Sequence, residues 1–359
     1  ITFDGEKNKI INGITDWVYE EEFAFVRAFE WNAGSDTIAF IRFDETEVPE
    51  FSMDIYGTDL YQTQEVFKYP KAGEKNAIVS LHFYDLNADQ ISTVALSKNY
   101  QDFYIPRIKW TKDSTILSAQ YLNRHQNTLD LWLINPKESK ADLVLSEQDD
   151  AYVEVTDNLT FLDDHSFIWT SEKDGFNHIY HYTKEGKLKN QITKGNWEVT
   201  NYYGYNESAH SIYYQSVENG SINRDVYSIR LNGKRKKRLS LAEGTSDASF
   251  SADFTYFIKT YSNASTPPKY TLNDSKTGRL VKNIKDNSAL LKTLSNYKFS
   301  NKEFSTLNVN GNDLNMWMLK PADFEASKTY PLLMFQYSGP GSQKVANSWF
   351  SSRDYWHQY

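Results

Sequence analysis

The sequence predicts a mainly β protein: the blades of a β-propeller, followed by the first strands of an α/β domain. Three observations predict this. Aromatic residues make up 15% of the 359 residues, with 25 Tyr, 21 Phe and 9 Trp, and these side chains favour strands. One unit recurs, an aromatic residue followed by a short polar turn and an apolar strand, beginning at Trp31, Trp110, Phe161, Tyr205 and Phe250. Near Asn287 that unit stops and a different pattern begins.

The first interval between units is about 79 residues, and the others are about 51, 44 and 45. A period of roughly 40 to 50 residues with several strands per repeat is the mark of a propeller, whose small sheets bury their faces against one another. A β-sandwich with chance spacing is the alternative. The long first interval calls for an insertion, and VPEFSMDIYGTDLYQTQEVFKYPKAG, Val48 to Gly73, fits as an extended arm. It would fold over the next blade or reach a partner.

In chain order, ITFDGEKNKIING reads as a strand and turn and has none of the features of a signal peptide. DWVYEEEF sets Glu20, Glu21 and Glu22 beside Trp17, Tyr19 and Phe23. In the Phe161 repeat, Asp174-Gly175 marks a turn between strands. Asn232-Gly233 marks another, so the basic run Lys234 to Arg238 reads as a solvated hairpin. After Asn287 come a short helical stretch and a hairpin turned at Asn310-Gly311. YPLLMFQYSG then reads as a buried strand of an α/β sheet ending in Gly-Pro-Gly. Residues 1–294 are thus assigned to the propeller and 295–359 to the start of a second, truncated domain. Both ends read as cuts within something longer.

A formal charge of -8 and a pI near 5.5 argue against a nucleic-acid binder. No cysteine is present, which removes disulfides and thiolate metal sites. No apolar run reaches the 18 residues or so that a spanning helix needs.

Three adjacent glutamates repel one another. The bland reading is a solvated helical face. On a helix, however, successive side chains diverge by about 100°, so two can converge on a cavity while the third points away. Two nearby carboxylates call for a cation, and a primary ammonium, with three donors, matches them. A metal would need further ligands, which the local sequence lacks. No G-x-S-x-G elbow occurs, and Gly244-Thr245-Ser246-Asp247-Ala248 lacks the last glycine. The seven histidines, His178 and His181 among them, read as surface or packing residues. Tyr337 closes the apolar strand, where a hydroxyl can donate to a developing oxyanion, although strand-end tyrosines usually just pack.

Together NGITDWVYEEEF, DETEVPEF, YPKAG, ITKGNWEV, DNSAL and YPLLMFQYSGPGSQ resemble, in this order, the dipeptidyl peptidase IV family of prolyl-oligopeptidase-like serine peptidases. The resemblance implies an eight-bladed propeller, of which this chain carries about five blades, capping an α/β-hydrolase domain. It implies removal of X-Pro and X-Ala dipeptides from peptide N-termini. Glu21 and Glu22 match the family's ammonium clamp, and Glu20 points elsewhere. Tyr337 matches the oxyanion-hole tyrosine, and Phe23 is expected to help shape the substrate-side wall. The arm from about Met53 to Lys68 matches a segment that contributes to a homodimer and lines the active site. The serine, aspartate and histidine of the triad are expected beyond residue 359, and a substrate-binding arginine before residue 1, so the fragment alone is expected to be inactive. No cofactor or metal is implied. The lack of a cysteine-rich region fits bacterial members, and with them a periplasmic, envelope-associated or secreted location. The alternative is an inactive relative that keeps the propeller for protein–protein contact.

Overall fold

A computed structural model describes residues 1–337, 339, 341–349 and 352–358. Five antiparallel sheets follow one another along the chain. The first holds β1 (Ile10–Asn12), β2 (Phe29–Trp31), β3 (Thr37–Asp44), β6 (Ile78–Asp85) and β7 (Gln90–Ser92), with helix α1 (Trp17–Phe23) between β1 and β2. A separate hairpin, β4 (Glu50–Ile55) and β5 (Thr63–Lys68), interrupts it. The second sheet holds β8 (Phe103–Trp110), β9 (Leu117–Asn123), β10 (Thr128–Asn135) and β11 (Lys140–Gln148). The third holds β12 (Thr160–Phe161), β13 (Phe167–Ser171), β14 (His178–Tyr182) and β15 (Leu188–Gln191). The fourth holds β16 (Val199–Asn206), β17 (Ser211–Ser216), β18 (Asp225–Arg230) and β19 (Lys237–Arg238). The fifth holds β20 (Thr245–Phe250), β21 (Tyr256–Asn263), β22 (Thr266–Asp274) and β23 (Leu280–Lys285). These are the blades that the repeat predicts, and the inserted arm is the β4–β5 hairpin.

The recurring aromatic is now explained. Trp110, Phe161 and Phe250 end the first strand of their blades, Trp31 ends β2, the strand just before β3, and Tyr205 stands one residue from the end of β16. The polar turn after each is held by an Asn or Asp side chain, which accepts from backbone N–H groups and so mimics a backbone turn. Asn32 Oδ1 accepts from Asp36 and Thr37, Asp113 from Thr115, Asp164 from Ser166, Asn206 from Ala209 and Asp253 from Thr255, all between 2.9 and 3.1 Å. In the first four blades the next strand is heavily buried. All of β13, and β9 up to Leu122, are buried, and Trp169, Tyr214 and Phe43 on these strands are among the largest fully buried side chains. A strand covered on both faces reads as a near-continuous apolar run rather than an alternating one.

The chain divides into two compact units, residues 1–173 with 181–189, and residues 174–180 with 190–359. The dividing line passes through the third blade. The second unit also contains helix α2 (Ser288–Leu294), the hairpin β24 (Glu303–Val309) and β25 (Asn312–Met318), and helix α3 (Ser352–Trp356). The β24–β25 turn places Asn310 and Gly311 at φ 52° and 85°, the positive values its Asn-Gly pair predicts.

One expectation is corrected. YPLLMFQYSG forms no strand among the described residues: residues 331–337 carry no strand assignment, with Leu332 84% and Met334 80% exposed. A strand is stabilised by its neighbours, and no strand among the described residues runs beside this segment to complete a ladder. Ser338 and Pro340 of the same motif lie outside the described residues.

Candidate functional site

The DWVYEEEF segment folds as α1 because its ends are capped. Asp16, in extended conformation, accepts from Tyr19 N at 3.0 Å, and Ala24 closes the helix in the left-handed region at φ 55°. Val18, Tyr19 and Phe23 point inward and are buried, whereas Glu20, Glu21 and Glu22 are all exposed. The inner face is fixed by the Tyr19 ring, which meets Phe43 edge-on at 4.8 Å and Phe23 at 5.1 Å. The Tyr19 hydroxyl accepts from Ile105 N, which ties the helix to β8. Phe23 is 5% exposed and rests on Tyr104 at 5.2 Å, supporting the helix from beneath. Trp17 packs against Tyr69 with ring centroids 4.1 Å apart and planes tilted by 52°, and Tyr69 lies 5.3 Å from Phe51 of the arm.

Asp16 is an ionisable cap in a dry place. Burial raises its carboxyl to about 6, against the opposing pull of the Tyr19 N–H. Burial also raises Glu45, with a further contribution from the negative charge of Asp16.

The acidic face extends beyond the helix. Tyr152 is raised first by burial, then by the charges of Glu154, Glu22 and Glu172. Burial, then Glu172, likewise raises Glu154. Glu22 also reaches Tyr104, whose hydroxyl is raised chiefly by burial. Three carboxylates, from α1, the β11–β12 connection and the end of β13, therefore act together on Tyr152. Such a field favours a cation with several hydrogen-bond donors. Sequence reasoning missed Glu154 and Glu172, because more than a hundred residues separate them from the helix and neither stands in a motif. Among the described residues, no group of three or more His, Asp or Glu is arranged to hold a metal.

Tyr337 belongs to the second unit. It is 61% exposed, and Lys344 Nζ stands 5.0 Å from its ring centroid. The segment after it is pinned by Asn347, which the sequence did not single out. Asn347 N donates to Ile222 O at 2.8 Å and its Nδ2 to Asn223 Oδ1 at 3.1 Å. Its Oδ1 accepts from Ala264 N at 3.1 Å, and its carbonyl from Thr245 Oγ1 at 3.0 Å. Gln343 Nε2 adds a 2.7 Å bond to Ser221 O.

The histidines expected to pack do so. His178 is fully buried between Thr193 Oγ1 and Gly195 O. His181 Nε2 stands 2.8 Å from Ser166 Oγ, which also bonds Asp164. This serine, histidine and aspartate are not a hydrolytic triad, since Ser166 and His181 are each 3% exposed and the aspartate bonds the serine. The basic hairpin is only partly solvated: Lys236 pairs with Glu218, and Arg238 Nη2 lies 3.0 Å from buried Asp225.

Comparison with known proteins bears on the family and the fold. Residues 1–268 match the family model described as the dipeptidyl peptidase IV (DPP IV) N-terminal region. A probable dipeptidyl-aminopeptidase B of the fungus Phaeosphaeria nodorum is 31% identical over 96% of this chain and 41% of its own length. Dipeptidyl peptidase 4 of Trichophyton equinum is 31% identical over 95% of this chain and 46% of its own. Among solved structures, dipeptidyl peptidase 4 of Porphyromonas gingivalis superposes with a TM-score of 0.94 at 41% identity, covering 99% of this chain and 51% of that one. The chain thus spans less than half the length of these curated relatives and about half of the solved one. With three-quarters of its residues matched by the family model, the chain belongs to the dipeptidyl peptidase IV family, in that family's N-terminal region.

Proposed function

We propose that this chain is the substrate-selecting part of a serine exopeptidase that releases X-Pro and X-Ala dipeptides from peptide N-termini. The observation that carries the reading is the capped α1, which displays Glu20, Glu21 and Glu22 outward, with Glu22 acting on Tyr152 together with Glu154 and Glu172. Glu21 and Glu22 grip the substrate's α-ammonium. With the helix capped and tied to β8, the grip fixes how far the chain reaches past it, and so the enzyme counts two residues. Fixed orientation of this kind lowers the entropic part of the barrier. Phe23 shapes the wall from below through Tyr104, and Tyr337 stabilises the oxyanion of the tetrahedral intermediate. The serine, aspartate and histidine of the triad are assigned outside residues 1–359, water is the second substrate, and no metal takes part.

The names of the relatives support a peptidase, and the outward acidic helix supports an N-terminal exopeptidase. The domain boundary near residue 294, a homodimer formed through the β4–β5 arm, and a periplasmic, envelope or secreted location in a bacterium belong to the same proposal. The test is a product analysis with the full-length protein. A peptide with proline second should lose its first two residues as a dipeptide, and its N-acetylated form should stay intact. Equal cleavage of both would refute the reading.

A further inference from the structure

The first unit holds an open cleft of about 560 Å3 along β2, β8 and β9, starting at Ala24, the C-cap of α1. Its charged lining is mostly neutralised. Arg27 pairs with Glu30 at 2.5 Å, and Arg107 grips Asp157 with two nitrogens. Lys109 differs: its Nζ donates to the Leu159 carbonyl at 2.7 Å, and among the described residues no carboxylate lies within ion-pair distance of it. The surrounding protein lowers its pKa by burial, and the more distant charges of Asp157 and Glu30 only partly oppose this. An ammonium has three donors, so two remain unused. Gln120 lines the same cleft at 3% exposure. Its Nε2 donates to Thr156 O at 3.3 Å, but its buried Oε1 has no partner. An orphaned buried acceptor is uncommon enough to require an explanation.

The cleft therefore offers a positive charge with free donors beside an acceptor that lacks a donor. Most of the remaining lining, Phe25, Val26, Ile108 and Leu159 among it, is apolar, with Ser118 and Thr156 the uncharged polar exceptions. A bare inorganic anion would satisfy Lys109 and leave Gln120 unmet. We propose that this cleft binds the free carboxylate end of a short peptide, with the carboxylate on Lys109 Nζ and a backbone N–H on Gln120 Oε1. The site goes beyond the ammonium clamp and uses none of Glu20, Glu21 or Glu22. It recognises the opposite end of a peptide.

Isothermal titration of the full-length protein with N-acetyl-L-alanyl-L-alanine tests this, because the acetyl group removes the ammonium that the clamp would hold. Binding is expected, and the C-terminal amide of the same compound should bind at least about tenfold more weakly. Lys109→Gln and Gln120→Leu should each weaken the acid by about tenfold, while Glu21→Gln with Glu22→Gln leaves it unchanged. No binding at millimolar concentration, equal binding of the amide, or acetate binding as tightly as the peptide would each overturn the proposal. The comparison of acid with amide uses the unsubstituted protein, so a misfolded variant cannot decide it. Loss of the acid's binding in the double glutamine variant would reassign the ligand to α1 and equally refute this site.

Discussion

The Tyr19 hydroxyl accepts a 2.7 Å hydrogen bond from the backbone N–H of Ile105, joining the acidic helix of the first blade to the edge strand of the second. Both residues are buried, at 1% and 0% exposure. Tyr19→Phe keeps the ring and its edge contacts but strands the Ile105 N–H. A buried donor left unpaired costs on the order of 1–3 kcal/mol. Denaturant unfolding should show that loss, and KM for peptide substrates should rise because the helix is no longer pinned. An unchanged midpoint would mean that the bond does not hold the helix.

Asp16 gives α1 a pH dependence. Its folded-state pKa, about 6, lies above its ordinary value of 3.8, so the folded protein takes up the proton first. The cost of keeping the ionised carboxylate buried is present in full above pH 6, and it is relieved as pH falls from 6 toward 4. Glu45 shifts in the same direction for the same reason. Asp16→Asn keeps an acceptor at the N-cap without the charge. It should therefore be more stable than the parent at pH 8, by on the order of 1–3 kcal/mol. The difference should shrink as pH falls to 4. Melting curves across that range check the sign, and a difference that grows on acidification would contradict it.

The basic run at 234–238 is not uniform. Arg238 faces the 1% exposed carboxylate of Asp225, which also accepts from Ser240 Oγ at 2.8 Å. Removing one partner of a buried pair costs roughly 3–5 kcal/mol, because the other charge is left alone. Arg238→Ala should destabilise the second unit by an amount approaching that range. Lys234→Ala and Arg235→Ala, on the exposed turn, should change stability by less than about 0.5 kcal/mol. Parallel urea titrations of the three variants decide it.

Much of this was legible in the sequence, and for identifiable reasons. The aromatic, the Asx turn and the buried strand are all local, so Trp31, Trp110, Phe161, Tyr205 and Phe250 marked five blades from spacing alone. The β4–β5 arm was visible as an interval too long for one blade. What stayed hidden is non-local. Glu154 and Glu172 join Glu22 only after the rest of the first blade and the whole of the second have folded, and Asn347 acquires its partners from residues some 80 to 125 positions earlier. The misread segment at 331–337 has the composition of a buried strand, but pairing is a property of the neighbour as well as of the strand itself.

Trp17 and Tyr69, 4.1 Å apart, couple the arm to α1. Tyr69→Ala should loosen the β4–β5 hairpin, whose tip exposes Tyr56, Leu60 and Tyr61. Limited proteolysis should then cut near that tip at least several-fold faster, while the melting temperature moves little, because the hairpin is a separate two-stranded sheet. Unaltered cleavage would show that the arm is held by something other than this contact.

The central claim is that Glu21 and Glu22 read a peptide's free N-terminus. The most direct measurement is kcat/KM on an X-Pro dipeptide substrate for the full-length protein, its Glu21→Gln variant and its Glu22→Gln variant. Each substitution keeps the shape but removes the charge and replaces one acceptor oxygen by a donor NH2. A loss of at least about a hundredfold in each, equivalent to about 2.7 kcal/mol of transition-state stabilisation, is predicted, while Glu20→Gln stays near the parent. Near-parental kcat/KM in the Glu21 and Glu22 variants would contradict the clamp.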